Sequence, residues 1–118
     1  MSATIFALST PSGISAVSII RISGPDSFKA LGRLLGLKKP FKPLNSEIRK
    51  VHLRKIFSIE GRLLDKGLVI LFEKGRSFTG EDLVELQLHG SHIVVKTVLE
   101  ALASLGYARL AKPGEFTK

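Results

Sequence analysis

The residues best suited to binding chemistry lie in the short stretch 83–89. If this stretch is a β-strand, its side chains alternate between two faces, Val84, Leu86 and Leu88 on one and Glu85, Gln87 and His89 on the other. The second face then carries a carboxylate, an amide and an imidazole in one polar stripe. If that face is partly covered, each of these polar groups needs a hydrogen-bonding partner.

Arg21 is a candidate for that partner. It lies in the β-branched stretch 16–23 and shares a strand face with Val17 and Ile19, where an apolar residue is expected. One interpretation is a structural ion pair with Glu85 across the sheet. The other is a ligand site, because a carboxylate matches two parallel donors of a planar heterocycle such as a pterin or guanine, and arginine complements a carbonyl or carboxylate of that ligand. Spacing alone leaves both open.

Other kinds of site find little support in the sequence. Residues 75–80 have the glycine spacing of a P-loop, but Glu81 and Asp82 follow where Lys and Ser or Thr are required. His89 and His92 are separated by a predicted strand–helix junction, which disfavours a zinc site. There is no cysteine, and no nucleophile–histidine–carboxylate set is recognisable. We therefore predict no catalytic residue and no metal ligand in this chain.

The elements that would position these residues follow from the hydrophobic pattern. The 118 residues fit one domain. Predicted strands cover residues 4–9, 16–23, 51–57, 68–72, 83–89 and 107–110, and predicted helices run from 25 to 35 and from 91 to 105. The run 68–72 is apolar throughout, which is typical of a strand buried on both faces. The order predicts an α/β (α+β) fold, a mixed β-sheet with helices packed on one face. Glycines flank these elements, at Gly13, Gly24, Gly80, Gly90 and Gly114.

The positive charge is concentrated in one third of the chain. The formal net charge is +8, and residues 29–66 hold eleven lysines and arginines against Glu47, Glu60 and Asp65. This segment could attract a phosphate-rich polymer, or it could be a solvated surface that keeps the protein soluble. Without an apolar run of about 20 residues or a signal-peptide pattern, we expect a soluble cytoplasmic domain with no membrane partner.

Five short motifs, in order, carry a resemblance to a known family. They are residues 10–13, 19–24, 77–82, 85–90 and 112–117, which read TPSG, IIRISG, SFTGED, ELQLHG and KPGEFT. In this order they resemble the N-terminal domain of the tRNA modification GTPase family MnmE, also called TrmE. The resemblance runs from residue 4 to residue 118. It implies a single N-terminal folate-binding and dimerisation domain over residues 1–118, of the glycine-cleavage T-protein type.

The resemblance also implies a cofactor and partners. The family's domain binds a tetrahydrofolate derivative, the 5-formyl or 5,10-methylene form, through residues that match Arg21 and Glu85. It forms a homodimer, and with the flavoprotein MnmG (GidA) the full-length family protein modifies C5 of the wobble uridine in certain tRNAs, the folate supplying the one-carbon unit. GTP, magnesium and potassium belong to a GTPase domain that this chain lacks, as it lacks the family's helical domain, so this chain alone is not expected to be an enzyme.

The chain departs from the family pattern in two places. A further folate-binding lysine of the family lies beyond residue 118, and residues 12–16 carry fewer glycines than is usual in the family. Two alternatives to the folate-binding module remain open. One is a basic RNA-binding module built on the 38–66 segment, and the other is a purely structural dimerisation domain in which Arg21 and Glu85 form an internal ion pair.

Overall fold

The computed structural model describes residues 3–9, 17–39, 41–74, 80–89 and 91–116. Within them it has six strands, two α-helices and one short 3-10 helix. In chain order these are β1 (Thr4–Leu8), β2 (Val17–Ser23), α1 (Ser27–Leu34), the 3-10 helix (Asn45–Glu47), β3 (Val51–Phe57), β4 (Leu63–Phe72), β5 (Leu83–His89), α2 (His92–Ser104) and β6 (Ala108–Leu110). The predicted order of elements is confirmed, with boundaries shifted by one or two residues at most ends.

The six strands form one mixed sheet in the order β3-β4-β5-β2-β1-β6. All neighbouring pairs are antiparallel except β1 and β6, which are parallel. Both helices pack on the same face, where their apolar residues share a core with every second residue of the strands. The fully buried side chains of this core include Phe6, Ile20, Ile22, Leu31, Leu34, Leu86 and Leu102. We call the opposite face, which neither helix covers, the open face. The predicted fold class is therefore confirmed.

The β3–β4 hairpin differs in detail from the predicted pattern. The return strand begins at Leu63, well before the apolar run, and only Val69 and Leu71 of that run are buried. Leu68, Ile70 and Phe72 are half-buried, so the prediction of a strand buried on both faces is wrong. The reason is that their side chains alternate onto the open face.

A tight junction aligns the strands that carry the site. Gly24, at the end of β2, has φ +136°, and a Cβ there would lie 2.6 Å from the Cα of Thr4 on β1. The Gly24 amide donates to the carbonyl of Asp82, just before β5, at 3.0 Å, and the Ser27 hydroxyl donates to the same carbonyl at 3.0 Å. This junction fixes the register in which β2 and β5 pair. Of the helices in the described part of the chain, neither is long and apolar enough to cross a membrane.

Candidate functional site

Arg21 and Glu85 lie directly opposite each other on the neighbouring antiparallel strands β2 and β5. The Arg21 Nε donates to Glu85 Oε1 at 3.1 Å, and the side chains are 30% and 14% exposed. Both belong to the open face, as the alternation of the strands predicts. The two residues selected from the sequence are thus brought into contact, partly shielded from water and accessible from one side.

The pair belongs to a longer hydrogen-bonded stripe across the sheet. Arg21 Nη1 donates to the Ser9 hydroxyl at 2.8 Å, one residue beyond β1. The Gln87 amide donates to Glu85 Oε2 at 2.9 Å, so each carboxylate oxygen accepts one side-chain hydrogen bond. A carboxylate has about four lone-pair positions, so Glu85 keeps acceptor capacity for two further donors. Its neighbours meanwhile hold it in one orientation.

A cavity of about 330 Å³ opens beside Arg21. Its walls come from the end of β1 and from the segment that follows β6, and they comprise Ala7, Leu8, Ser9, Arg21, Ala111, Lys112, Pro113, Gly114 and Phe116. The volume lies near the lower end of the range for small-molecule sites. A larger cavity of about 440 Å³, between α2 and the β1–β6 edge, is mostly apolar and contains neither Arg21 nor Glu85. The smaller cavity is lined by Arg21 but not by Glu85, which bonds to that arginine from the neighbouring strand, so we take this cavity together with the pair as the candidate site.

The wall formed by residues 111–116 is held against the sheet by a clamp. Arg109 on β6 donates to both carboxylate oxygens of Glu115, each at 2.7 Å. The Lys112 amide also donates to Glu115, and the Ala111 amide donates to the carbonyl of Phe6 at 2.8 Å. The hydrogen bonds from Arg109 and then from the Lys112 amide lower the pKa of Glu115 to about 2. The carboxylate therefore stays charged throughout the physiological pH range and keeps both hydrogen bonds from Arg109.

His89, the last polar residue of the predicted stripe, has a different partner. Its ring Nδ1 lies 2.9 Å from Asp65 Oδ1, and its backbone amide donates to Asp65 Oδ2 at 2.8 Å. Burial alone would raise the pKa of Asp65, but the hydrogen bonds from His89 and from the Lys66 amide outweigh it and lower that pKa. Asp65 thus joins the start of β4 to the end of β5, and His89 takes part in that contact rather than in the Arg21 site.

The groups gathered here are of the kinds that bind a ligand. It offers a fixed carboxylate acceptor, a guanidinium and a cavity, and the serine in it bonds to arginine instead of a general base. Within the described ranges, no group of three or more His, Asp or Glu side chains could hold a metal ion. A ligand with adjacent N–H donors and an acceptor edge would complement these groups.

The sequence identified the central pair and missed its surroundings. Ser9, the Gln87 contact with Glu85 and the Arg109–Glu115 clamp were not predicted. The available signal for the clamp was the opposite charges on either side of the Pro113–Gly114 turn. The predicted loop glycines Gly13 and Gly90, the TPSG motif and residues 77–79 of the SFTGED motif lie outside the described residues.

Comparison with known proteins agrees with the resemblance carried by the motifs. Residues 4–118 match the family model described as GTP-binding protein TrmE N-terminus. The chain is 50% identical over 114 residues to the tRNA modification GTPase MnmE of Anaplasma phagocytophilum (strain HZ), an alignment that covers 97% of this chain and 24% of that protein. It is 46% identical over 117 residues to the mitochondrial tRNA modification GTPase mss1 of Schizosaccharomyces pombe (strain 972 / ATCC 24843), covering 98% of this chain and 22% of that one. The chain thus spans about a quarter of the length of these relatives. It belongs to the TrmE N-terminus family, the N-terminal part of the tRNA modification GTPases.

Proposed function

We propose that this chain is a tetrahydrofolate-binding module of a tRNA modification GTPase, and that Arg21 and Glu85 hold the cofactor. The observation that carries the proposal is the Arg21–Glu85 pair on the open face of the sheet, in which the arginine also lines a cavity. A pterin ring carries an amino group next to a ring N–H, and Glu85 has the remaining acceptor capacity for both. Arg21 then faces the carbonyl edge of the ring.

The module binds its cofactor rather than transforming it. The cavity of about 330 Å³ suits a bicyclic ring better than a whole folate, so the aminobenzoyl-glutamate part extends out over the surface. The family's further lysine, which lies beyond residue 118, would add a contact to that extended part. The site thus presents a 5-formyl- or 5,10-methylene-tetrahydrofolate with its one-carbon group accessible for transfer.

The wider role concerns the longer protein of which this chain resembles one quarter. There the module forms a homodimer in the cytoplasm, and together with the flavoprotein MnmG (GidA) the protein modifies C5 of the wobble uridine in certain tRNAs. GTP hydrolysis, with its magnesium and potassium, belongs to the GTPase domain of that longer protein. The names of the relatives support the part of this assignment that concerns tRNA modification and a GTPase.

Calorimetric titration of the chain with 5-formyltetrahydrofolate tests the cofactor role. Glu85→Gln keeps the shape of the side chain but removes its charge and one acceptor. We expect it to weaken binding about 13- to 160-fold, which corresponds to the roughly 1.5–3 kcal/mol of a charge-assisted hydrogen bond. Glu100→Gln makes the same chemical change at an exposed position on α2, and its dissociation constant should equal that of the wild type.

The competing interpretation, a structural ion pair only, predicts a different pattern. Glu85→Gln would then lower the free energy of unfolding, because the Arg21 guanidinium loses its charged partner, while any folate affinity stays unchanged. Thermal unfolding measured beside the titration tests the ion pair, and the dissociation constant separates the two interpretations. An unchanged dissociation constant in a folded Glu85→Gln variant would rule out the proposed cofactor role.

A further inference from the structure

The basic segment 29–66 is almost without ion pairs in the folded chain. The three salt bridges of the described residues join Arg21 to Glu85, His89 to Asp65 and Arg109 to Glu115. None of them involves a lysine or arginine of residues 29–66. One of the eleven, Lys29, lies over the ring of Tyr107 at 4.5 Å. Most of the positive charge of the segment is thus not paired with carboxylates in the described part of the chain.

The acidic residues of the segment are occupied by other partners. The Glu47 carboxylate accepts the amide of Leu44 at 2.7 Å, and Asp65 accepts the amides of Lys66 and His89 together with the His89 ring. Two of the three carboxylates in the segment therefore neutralise backbone dipoles and a histidine instead of the neighbouring cations. Eleven lysines and arginines against three carboxylates leave the segment with a formal net charge of +8.

The cations gather around the outer edge of the sheet. Lys55 and Lys66 are directly opposite each other on β3 and β4, and both are exposed on the open face. Arg54, the neighbour of Lys55, points to the other face of the same edge strand. At the hairpin turn, Lys38 lines a groove with residues 58–61, and Arg62 follows that turn. We call Lys38, Arg54, Lys55, Arg62 and Lys66 the basic edge.

The Lys55–Lys66 pair helps to decide whether the basic edge is a binding surface or only keeps the protein soluble. Lysines on an edge strand discourage edge-to-edge aggregation, a role open to Lys55 on β3 but not to Lys66, because β4 lies inside the sheet. Two lysines paired directly across the strands repel each other and destabilise the hairpin. A ligand that carries closely spaced negative charges would relieve this small repulsion and would be attracted by both lysines at once.

We propose that the basic edge binds the phosphodiester backbone of RNA. The cations lie on both faces of one edge and around its turn, so they can follow a ridge of successive phosphates. Aromatic residues for stacking on bases are scarce in this segment, where Phe41 is half-buried against the core and Phe57 packs beside Gly36. Contacts to the backbone rather than to the bases follow from that scarcity. This surface lies apart from the Arg21 cavity, so the inference stands without the proposed folate site.

Binding of a fluorescently labelled tRNA transcript, followed by anisotropy at 50–200 mM KCl, tests the proposal. With four or five phosphate contacts, we expect the affinity to fall about 50- to 500-fold over this range of salt. The Lys55→Glu/Lys66→Glu variant should bind at least tenfold more weakly at 50 mM KCl and show a shallower salt dependence. It keeps a like-charge pair across the strands, so the direct repulsion between the two side chains keeps its sign.

The matched control is Lys74→Glu/Lys96→Glu, which changes the net charge equally at two exposed positions outside the segment. It should lose far less affinity. If the first variant fails to fold by circular dichroism, Lys38→Glu/Arg62→Glu removes charge from two positions outside the strands, and the same fall is expected. Equal losses in the variant and the control, or no tRNA binding by the folded wild type, would overturn the proposal. Competition by polyglutamate as effective as unlabelled tRNA would overturn the assignment to RNA.

Discussion

Replacing Lys55 by glutamate should stabilise the protein, although it removes a surface charge that the basic edge would use. Lys55 lies directly opposite Lys66, and both are exposed. With the charged groups about 8 Å apart in water, the repulsion is about 0.5 kcal/mol, and physiological salt reduces it to about 0.2. Reversing one sign replaces that repulsion by an equal attraction. The free energy of unfolding should therefore rise by about 0.4 kcal/mol, and by up to about 1 kcal/mol if the side chains approach closely.

Thermal and urea unfolding of Lys55→Glu at low and high salt measure this effect. We expect the Tm to rise by about 1–4 °C in 50 mM salt, and the gain to vanish in 1 M salt, where charges are screened within about 3 Å. Lys96→Glu makes the same change in net charge on α2 and serves as the control. An equal rise in the control would show that only overall charge repulsion is relieved. A lower Tm for Lys55→Glu would refute the reasoning about the cross-strand pair.

Two further predictions concern the junction and the cavity wall. Gly24→Ala should lower the free energy of unfolding, measured in urea, by about 2–5 kcal/mol, because the new Cβ would meet the Thr4 backbone at φ +136°. The control Gly61→Ala, at φ +91° with open space around it, should lower it by only about 1–2 kcal/mol. Equal losses in the two variants would contradict the close approach of Gly24 to Thr4. Glu115 should titrate near pH 2 in carboxyl NMR and, in Arg109→Gln, move back towards its usual 4.5. Because the folded-state pKa is the lower one, the stability that Glu115 contributes is complete above about pH 4.5 and is lost as the pH falls towards 2. A midpoint that stays near 2 in the variant would show that Arg109 does not hold the carboxylate.

Local sequence patterns predicted which residues form the site better than they predicted the contacts around those residues. The alternation of residues 83–89 is a period-two signal that holds in any strand, so the faces of Glu85 and Leu86 follow from it directly. The pairing of Arg21 with Glu85 required a strand order that no local pattern contains. It could be anticipated only because a guanidinium and a carboxylate on a partly covered face need partners.

The hairpin shows why pattern reasoning reaches a limit. Val51 and Leu53 read as an apolar face, yet they are 58% and 61% exposed, whereas Ile56 is fully buried. Burial here depends on which side the helices cover and on the register shift between Ile56 and Phe57, and both are tertiary properties. The Arg109–Glu115 clamp is likewise a contact across a turn, for which sequence separation gives no rule.

Because β1 pairs with β6, the sheet can be completed only after the last strand has been made. β1 is synthesised well before its outer neighbour, Ala108–Leu110, which follows about a hundred residues later in the chain. Until then, one side of β1 has no strand beside it, and the cavity wall that follows β6 does not exist. Pairings between distant segments form slowly, because a long loop must close before they gain any contacts. The hairpin that carries Lys55 and Lys66 can form early from neighbouring residues, whereas the pocket beside Arg21 closes only after nearly the whole domain has been synthesised.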